Sequence, residues 1–202
     1  MPLSIGLPPV LPLTELGRII PDTPESRKYK LSLARYSAPD PAAAASFHEI
    51  VIWLGEAVRD SSSVHSDLLG TFRLSCLIPS DHPLARKPEL TYEDLSGETL
   101  IFPSLAAPEL ARRFCDHLLL HYPDIAVETP PVTYDLPMLN HFACGHNFLV
   151  APEIWGNIHP SLSNRPVRWN WLLPYCAVRS KNARPEVLDF INMIKSHEAN
   201  PL

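Results

Sequence analysis

Short apolar runs of strand length alternate with helix-like patterns along nearly all of this 202-residue chain. That alternation constrains the fold more than any other feature, because strands separated by helical crossovers assemble into α/β proteins with mostly parallel sheets. Leu3–Leu7 is the first apolar run. Leu13, Leu16 and Ile20 follow at i, i+3 and i+7, one stripe of a helix that Pro21 and Pro24 end. Residues 29–36 set Leu31 and Leu33 against Lys30 and Ser32, the period-two pattern of a strand. Asp40-Pro41 reads as an N-cap and first-turn proline opening an Ala-rich helix over 41–48. Ile50–Leu54 reads as a buried strand and 56–67 as a Ser-rich loop.

Strands are predicted at 73–78 and 99–102, and Pro108 opens a helix that runs to His121 before Pro123 stops it. Residues 126–132 are extended. Asp135 caps a helix whose face carries Leu136, Leu139 and Phe142, with Gly145 where the glycine after a helix belongs. A strand at 148–151, a short turn or helix from Pro152, a strand at 174–178 and a helix from Pro185 complete the pattern. The last helix sets Val187, Phe190, Ile191 and Ile194 on one face. No internal repeat stands out.

Composition narrows the function. The net charge of −5 lacks the basic stripe of a nucleic-acid binder, and the densest basic stretches, Arg27 to Lys30 and Arg179 to Arg184, flank predicted strands as solvated turns. No window reaches the roughly 18 apolar residues of a membrane span, and MPLSIGLPPV lacks the features of a signal peptide, so a cytoplasmic location is expected. Cys76, Cys115, Cys144 and Cys176 are widely spaced and form no CxxC pair; they read as small core residues. None of the nine histidines falls in an HExxH pattern, and no metal or cofactor is expected.

The stretch CLIPSDHPLARKPELTYEDLSGETLIFP, residues 76–103, is the most specific in the chain. An apolar run ends at a proline, a turn carries Asp-His-Pro-Leu, and a capped turn leads to a second apolar run. It resembles the effector-binding domain of LysR-type transcriptional regulators. The resemblance spans essentially the whole chain: SIGLPPVLPLTELGRIIPD, FHEIVIWLGE, CGHNFLVAPE and ARPEVLDFINMIK resemble further segments of that family. The sequence departs from it in places. Val51 stands where members usually have Asp, and Asn147 replaces a turn glycine, a substitution that Asn tolerates through the left-handed region. Pro8-Pro9-Val10 replaces a loop that usually offers a hydroxyl to the ligand.

The resemblance implies an α/β fold of two Rossmann-like lobes joined by two crossover strands, like type 2 periplasmic binding proteins. Lobe I would be 1–73 plus 174–202 and lobe II 74–173. The crossovers would be 73–78 and 172–178. A winged helix-turn-helix that reads DNA would lie outside this chain. The chain itself would be a regulatory module that binds a small-molecule effector in the interlobe cleft and forms a homodimer or higher oligomer. The helix at 108–121 would meet the segment at 11–20 of a second copy.

Ligands of such folds sit at the carboxyl ends of strands, near helix N-termini. The candidate contacts are therefore Pro9 and Val10, Ser37 and Ala38, Pro103 and Ser104, and Tyr134 and Asp135. Ser37 and Ser104 could donate to a carboxylate, although turn serines and helix caps are built from the same residue. Tyr134 could wall an aromatic ligand or simply edge the core, and Asp135 reads first as a cap. Thr14 and Asn147 are weaker candidates. With Val10 and Ala38 at these positions, and no N–H on Pro9, the pocket favours an aromatic or partly apolar ligand. His82 reads as a turn residue. A transport-related or stand-alone solute-binding protein of the same fold is the alternative. An enzyme is not expected, because Asp81-His82 and Asp116-His117 are sequence neighbours with no nucleophile motif.

Overall fold

The structure, a computed structural model, describes residues 2–36, 40–58, 63–132, 134–156 and 158–198. The chain divides into two compact units, residues 1–71 with 174–202, and residues 72–173.

The first unit is built on a mixed sheet in the order β2-β1-β3-β9-β4. Its strands are β1 (Leu3–Leu7), β2 (Leu31–Arg35), β3 (Ile50–Leu54) and parts of β4 (Val64–Pro79) and β9 (Leu172–Ser180). β1 runs parallel to both β2 and β3, whereas β3 pairs antiparallel with β9, Val51 opposite Val178. All five residues of β3 are buried, as befits a strand covered on both faces. Helix α4 (Pro185–Glu198) lays Val187, Phe190, Ile191 and Ile194 into this core, where Phe190 meets the Tyr29 ring edge-on at 5.0 Å. Asp67 on β4 accepts from Arg179 Nε and Lys195 Nζ, each at 2.8 Å, with His65 Nε2 3.7 Å away. Burial alone would raise the Asp67 pKa, but those two cations hold the carboxyl below its ordinary value.

The second unit has the sheet order β8-β4-β7-β5-β6. It uses the rest of β4 with β5 (Thr99–Ile101), β6 (Ala126–Glu128), β7 (Phe148–Pro152) and β8 (Leu162–Pro166). β5 is parallel to β6 and β7, while β4 runs antiparallel to β7 and β8. Helix α2 (Pro108–His121) buries Leu110, Ala111, Phe114 and Leu118. Its outer side leaves Leu119 61% and Leu120 75% exposed. Helix α3 (Leu136–Ala143) buries Leu139 and Phe142.

Several local expectations change. The segment predicted as a helix over 11–20 forms a 3-10 helix, Leu13–Arg18, that buries none of its own residues. Helix α1 stops at Pro41–Ala44, although Asp40 caps it as predicted, accepting from Ala42 N at 2.9 Å. The loop predicted through 67 ends earlier, because β4 begins at Val64. β8 was not foreseen: LSNRP has one apolar side chain and little alternation to announce it. Gly145 and Asn147 keep negative φ; among the described residues only Gly55, Gly97 and Gly156 are positive. The end of α3 therefore does not use the left-handed glycine or asparagine expected there. Cys144 is exposed, not core, while Cys76 and Cys176 are buried.

Candidate functional site

The strand-end loops differ in character between the units. In the first unit the loop after β1 carries Pro8, Pro9, Val10 and Leu11. Two of these are prolines without an N–H, so the loop presents mainly carbonyls. Arg35, at the end of β2, gathers them. Its Nη1 donates to Pro8 O at 2.8 Å and Pro9 O at 2.7 Å, and its Nη2 to Leu11 O at 2.8 Å. Pro9 is exposed and Val10 is buried. Ser37 and Ala38 lie outside the described residues. The loop is braced from beneath by close backbone packing. A Cβ on Gly6 would lie 2.7 Å from His48 Cδ2 and 3.3 Å from Tyr36 Cδ1, and the His48 ring is itself fixed by Ser4 Oγ at 3.0 Å.

In the second unit, the loops after parallel strands β5 and β6 are stitched together. Ser104 N donates to Pro130 O at 2.9 Å and Leu105 N to Val132 O at 3.3 Å. The Ser104 hydroxyl lies 3.1 Å from Thr129 O and 3.0 Å from Pro130 O. Its single proton is thus directed at main-chain carbonyls. Pro103 is buried beside it. Tyr134 is 7% exposed; its hydroxyl donates to Val150 O at 2.8 Å and its ring packs edge-on against Trp155 at 4.5 Å. Burial raises its pKa far above the ordinary phenol value. Asp135 is exposed and caps α3, accepting from Met138 N at 2.8 Å.

The structure thus brings Pro103, Ser104, Tyr134 and Asp135 into one region of the second unit, the last three each with a hydrogen-bond partner. Pro9 and Val10 lie on the first unit's loop after β1, to which Arg35 at the end of β2 donates. Three exposed apolar side chains lie here: Leu105 at 45% and Val132 at 43% on the strand-end loops, and Leu136, first residue of α3, at 59%, outside the buried face that Leu139 and Phe142 form. Sequence reasoning missed Leu105, Val132 and Arg35 and set Leu136 on the buried face of its helix. The signal for Arg35 was a lone cation closing a strand in a chain whose first strand ends in a proline loop rich in free carbonyls; the apolar trio carries no motif. His82 caps the 3-10 turn Pro83–Arg86 through Nδ1, which accepts from Leu84 N at 3.3 Å, and it packs on Phe148. That is the turn role read from the sequence. Among the described residues no three or more His, Cys, Asp or Glu are grouped to hold a metal.

A family model described as LysR substrate binding domain matches residues 12–136, more than half the chain. The chain belongs to the LysR substrate-binding domain family. Solved structures agree on the fold. CbnR, a LysR family transcriptional regulator, superposes with a TM-score of 0.69 at 12% identity over 98% of this chain and 70% of that one. Oxidised OxyR gives 0.64 at 19% identity over 99% and 97%. The effector-binding domain of QuiR in complex with shikimate gives 0.64 at 14% over 98% and 97%. Comparison with curated proteins finds no match. The LysR assignment bears out the expected class, two α/β lobes between which the chain passes twice, and favours a ligand-sensing regulatory domain over a transport protein.

Proposed function

We propose that this LysR substrate-binding domain senses a small-molecule effector through the strand-end loops that carry Pro9, Val10, Ser37 and Ala38 in the first unit and Pro103, Ser104, Tyr134 and Asp135 in the second. The observation that carries the reading is the stitched pair of loops after β5 and β6, because ligands of α/β sheets bind beyond the carboxyl ends of parallel strands. Arg35 adds the cation. A guanidinium has five N–H donors, and three of its hydrogen bonds go to the loop after β1, which leaves donors for a carboxylate. The apolar rim of Leu105, Val132 and Leu136 favours an effector with an aromatic or aliphatic body.

The domain performs no catalysis in this reading and works in the cytoplasm; no helix among the described residues is long and apolar enough to cross a membrane. Two copies pair through the outer side of α2, where Leu119 and Leu120 lie, and the Leu13–Arg18 segment, where Leu13 is 60% exposed. Specific DNA reading belongs to a domain other than these residues, whose net charge is −5. Thermal-shift screening of small carboxylates followed by calorimetry tests the site. Ser37→Ala combined with Ser104→Ala should weaken the ligand so found by about 1–3 kcal/mol. Unchanged affinity in that double variant would sink the assignment.

A further inference from the structure

A cavity lies wholly within the second unit, lined by none of the strand-end residues named above. It measures about 430 Å³, within the usual range for small-ligand sites. Leu110, Arg113 and His117 line it from α2, where spacings of three and four residues place them along one stripe. Tyr92, Trp171 and Asn170 supply the opposite wall. The wall is held in place. Tyr92 stacks on Tyr122 with centroids 3.9 Å apart and planes 9° from parallel. Trp171 meets Phe114 at 5.3 Å and His117 at 5.5 Å.

Charge is what distinguishes this cavity from an aromatic patch. The neighbouring Arg112 is fully engaged, donating to Glu109 Oε1 at 2.6 Å, Glu109 Oε2 at 3.1 Å and Asp116 Oδ2 at 2.6 Å. Arg113 makes no hydrogen bond or ion pair among the described residues; Glu109, already held by Arg112, feels its charge only through space. Burial and the neighbouring His121, 4.8 Å away ring to ring, both push the His117 pKa down, so at neutral pH His117 adds no charge. One unpaired guanidinium beside indole, phenol and imidazole rings matches a flat ring bearing a single negative charge. Guanidinium–carboxylate pairing supplies direction, and the rings supply apolar contact and edge-to-face geometry.

We propose that Arg113, Tyr92, His117 and Trp171 form a second ligand site, separate from the strand-end loops, that takes a planar aromatic monocarboxylate. The Arg113 guanidinium holds the carboxylate with help from the Asn170 amide, and the ring lies against Trp171. Because it shares no residue with the strand-end site, the two assignments stand or fall separately.

The test uses the 202-residue protein labelled with 5-fluorotryptophan, which reports four tryptophans by fluorine NMR, Trp171 being assigned from its loss in Trp171→Phe. The probe is 1-naphthoate, with neutral 1-naphthalenemethanol as control. The Trp171 signal should move saturably with naphthoate, and naphthalenemethanol should bind about tenfold more weakly, the effect of losing a charged hydrogen bond. Arg113→Gln should weaken naphthoate by a similar factor. Arg112→Gln, which removes the same charge from the same turn, should leave affinity within about twofold, since its salt bridges are exposed. A Trp171 signal that does not move, equal binding of the alcohol, or equal losses in both arginine variants would overturn the site. Arg113 is exposed, so its replacement leaves the core intact, and an unchanged fluorine spectrum of the free variant verifies that.

Discussion

The indole N–H of Trp169 donates to the main-chain carbonyl of Leu74 at 2.7 Å, across 95 residues of sequence. Leu74 N in turn donates to Trp171 O at 2.8 Å. The segment that enters the second unit and the segment that leaves it are thus tied within that unit. Trp169→Phe keeps most of the ring volume but leaves the buried Leu74 carbonyl without this donor. It should lower stability by about 1–3 kcal/mol, seen as a lower urea midpoint with an unchanged slope. An unchanged midpoint would show that the tie contributes nothing.

Gly6 should not accept a side chain. A Cβ there would sit 2.7 Å from a His48 ring that Ser4 anchors, so either β1 or the ring must move. Gly6→Ala should cost about 1–3 kcal/mol, the usual range for overpacking. The thermal midpoint measures it. Because the ring is the obstacle, adding His48→Ala should recover part of the loss; no recovery would place the strain elsewhere.

Asp67 titrates lower in the folded protein than in the unfolded chain, since Arg179 and Lys195 favour its charged form over the opposing effect of burial. Such a group contributes stability above its unfolded pKa, near 3.9, and that contribution fades as pH falls through the lower folded value. Asp67→Asn should therefore cost about 2–3 kcal/mol at pH 7, somewhat less than breaking a fully buried pair, because Lys195 reaches solvent. The difference between variant and parent should shrink below pH 4. Urea titrations at pH 7 and pH 3.5 measure both values, and a pH-independent difference would mean that packing, not charge, is responsible.

Pairing of two copies through α2 predicts a concentration-dependent mass. Light scattering at micromolar protein should exceed the 22.6 kDa of one chain, and Leu119→Glu with Leu120→Glu should return it to that value. Both side chains are exposed in the single chain, so the variant should retain the helical circular dichroism of the parent. A constant mass of one chain in the parent would refute the dimer.

The elements most legible in the sequence were those whose own residues set their ends. Pro108 and the Pro123 stop bracket α2, Asp135 caps α3, and the continuous apolar run of Ile50–Leu54 marks a strand buried on both faces. Errors fell where tertiary contacts decide. Val64 to Asp67 looked like a polar loop, yet Asp67 finds Arg179 and Lys195 only because β4 lies near β9 and α4. Leu13, Leu16 and Ile20 have helical spacing, but Leu13–Arg18 buries none of its residues, so no tertiary packing holds an α-helix there and a short 3-10 helix forms. For the site, strand-end positions could be named from the alternation of elements. That the hydroxyls of Ser104 and Tyr134 are directed at main-chain carbonyls could not, because one partner lies on the loop after β6 and the other on strand β7.

The pairing of β3 with β9 sets an order of events during synthesis. Residues 72–173 leave the ribosome as one continuous stretch, and the β4, β5, β6, β7 and β8 segments they contain need nothing further from the chain to pair. β3 emerges before all of them, with its parallel neighbour β1 already made, but its other edge must wait for residues 175–178, its antiparallel neighbours. Through that interval Ile50 to Leu54 can pair with β1 on one side but leaves its other side as an open apolar edge, the kind of segment that templates aggregation or recruits a chaperone. Slow translation between residues 54 and 174 would lengthen that exposure.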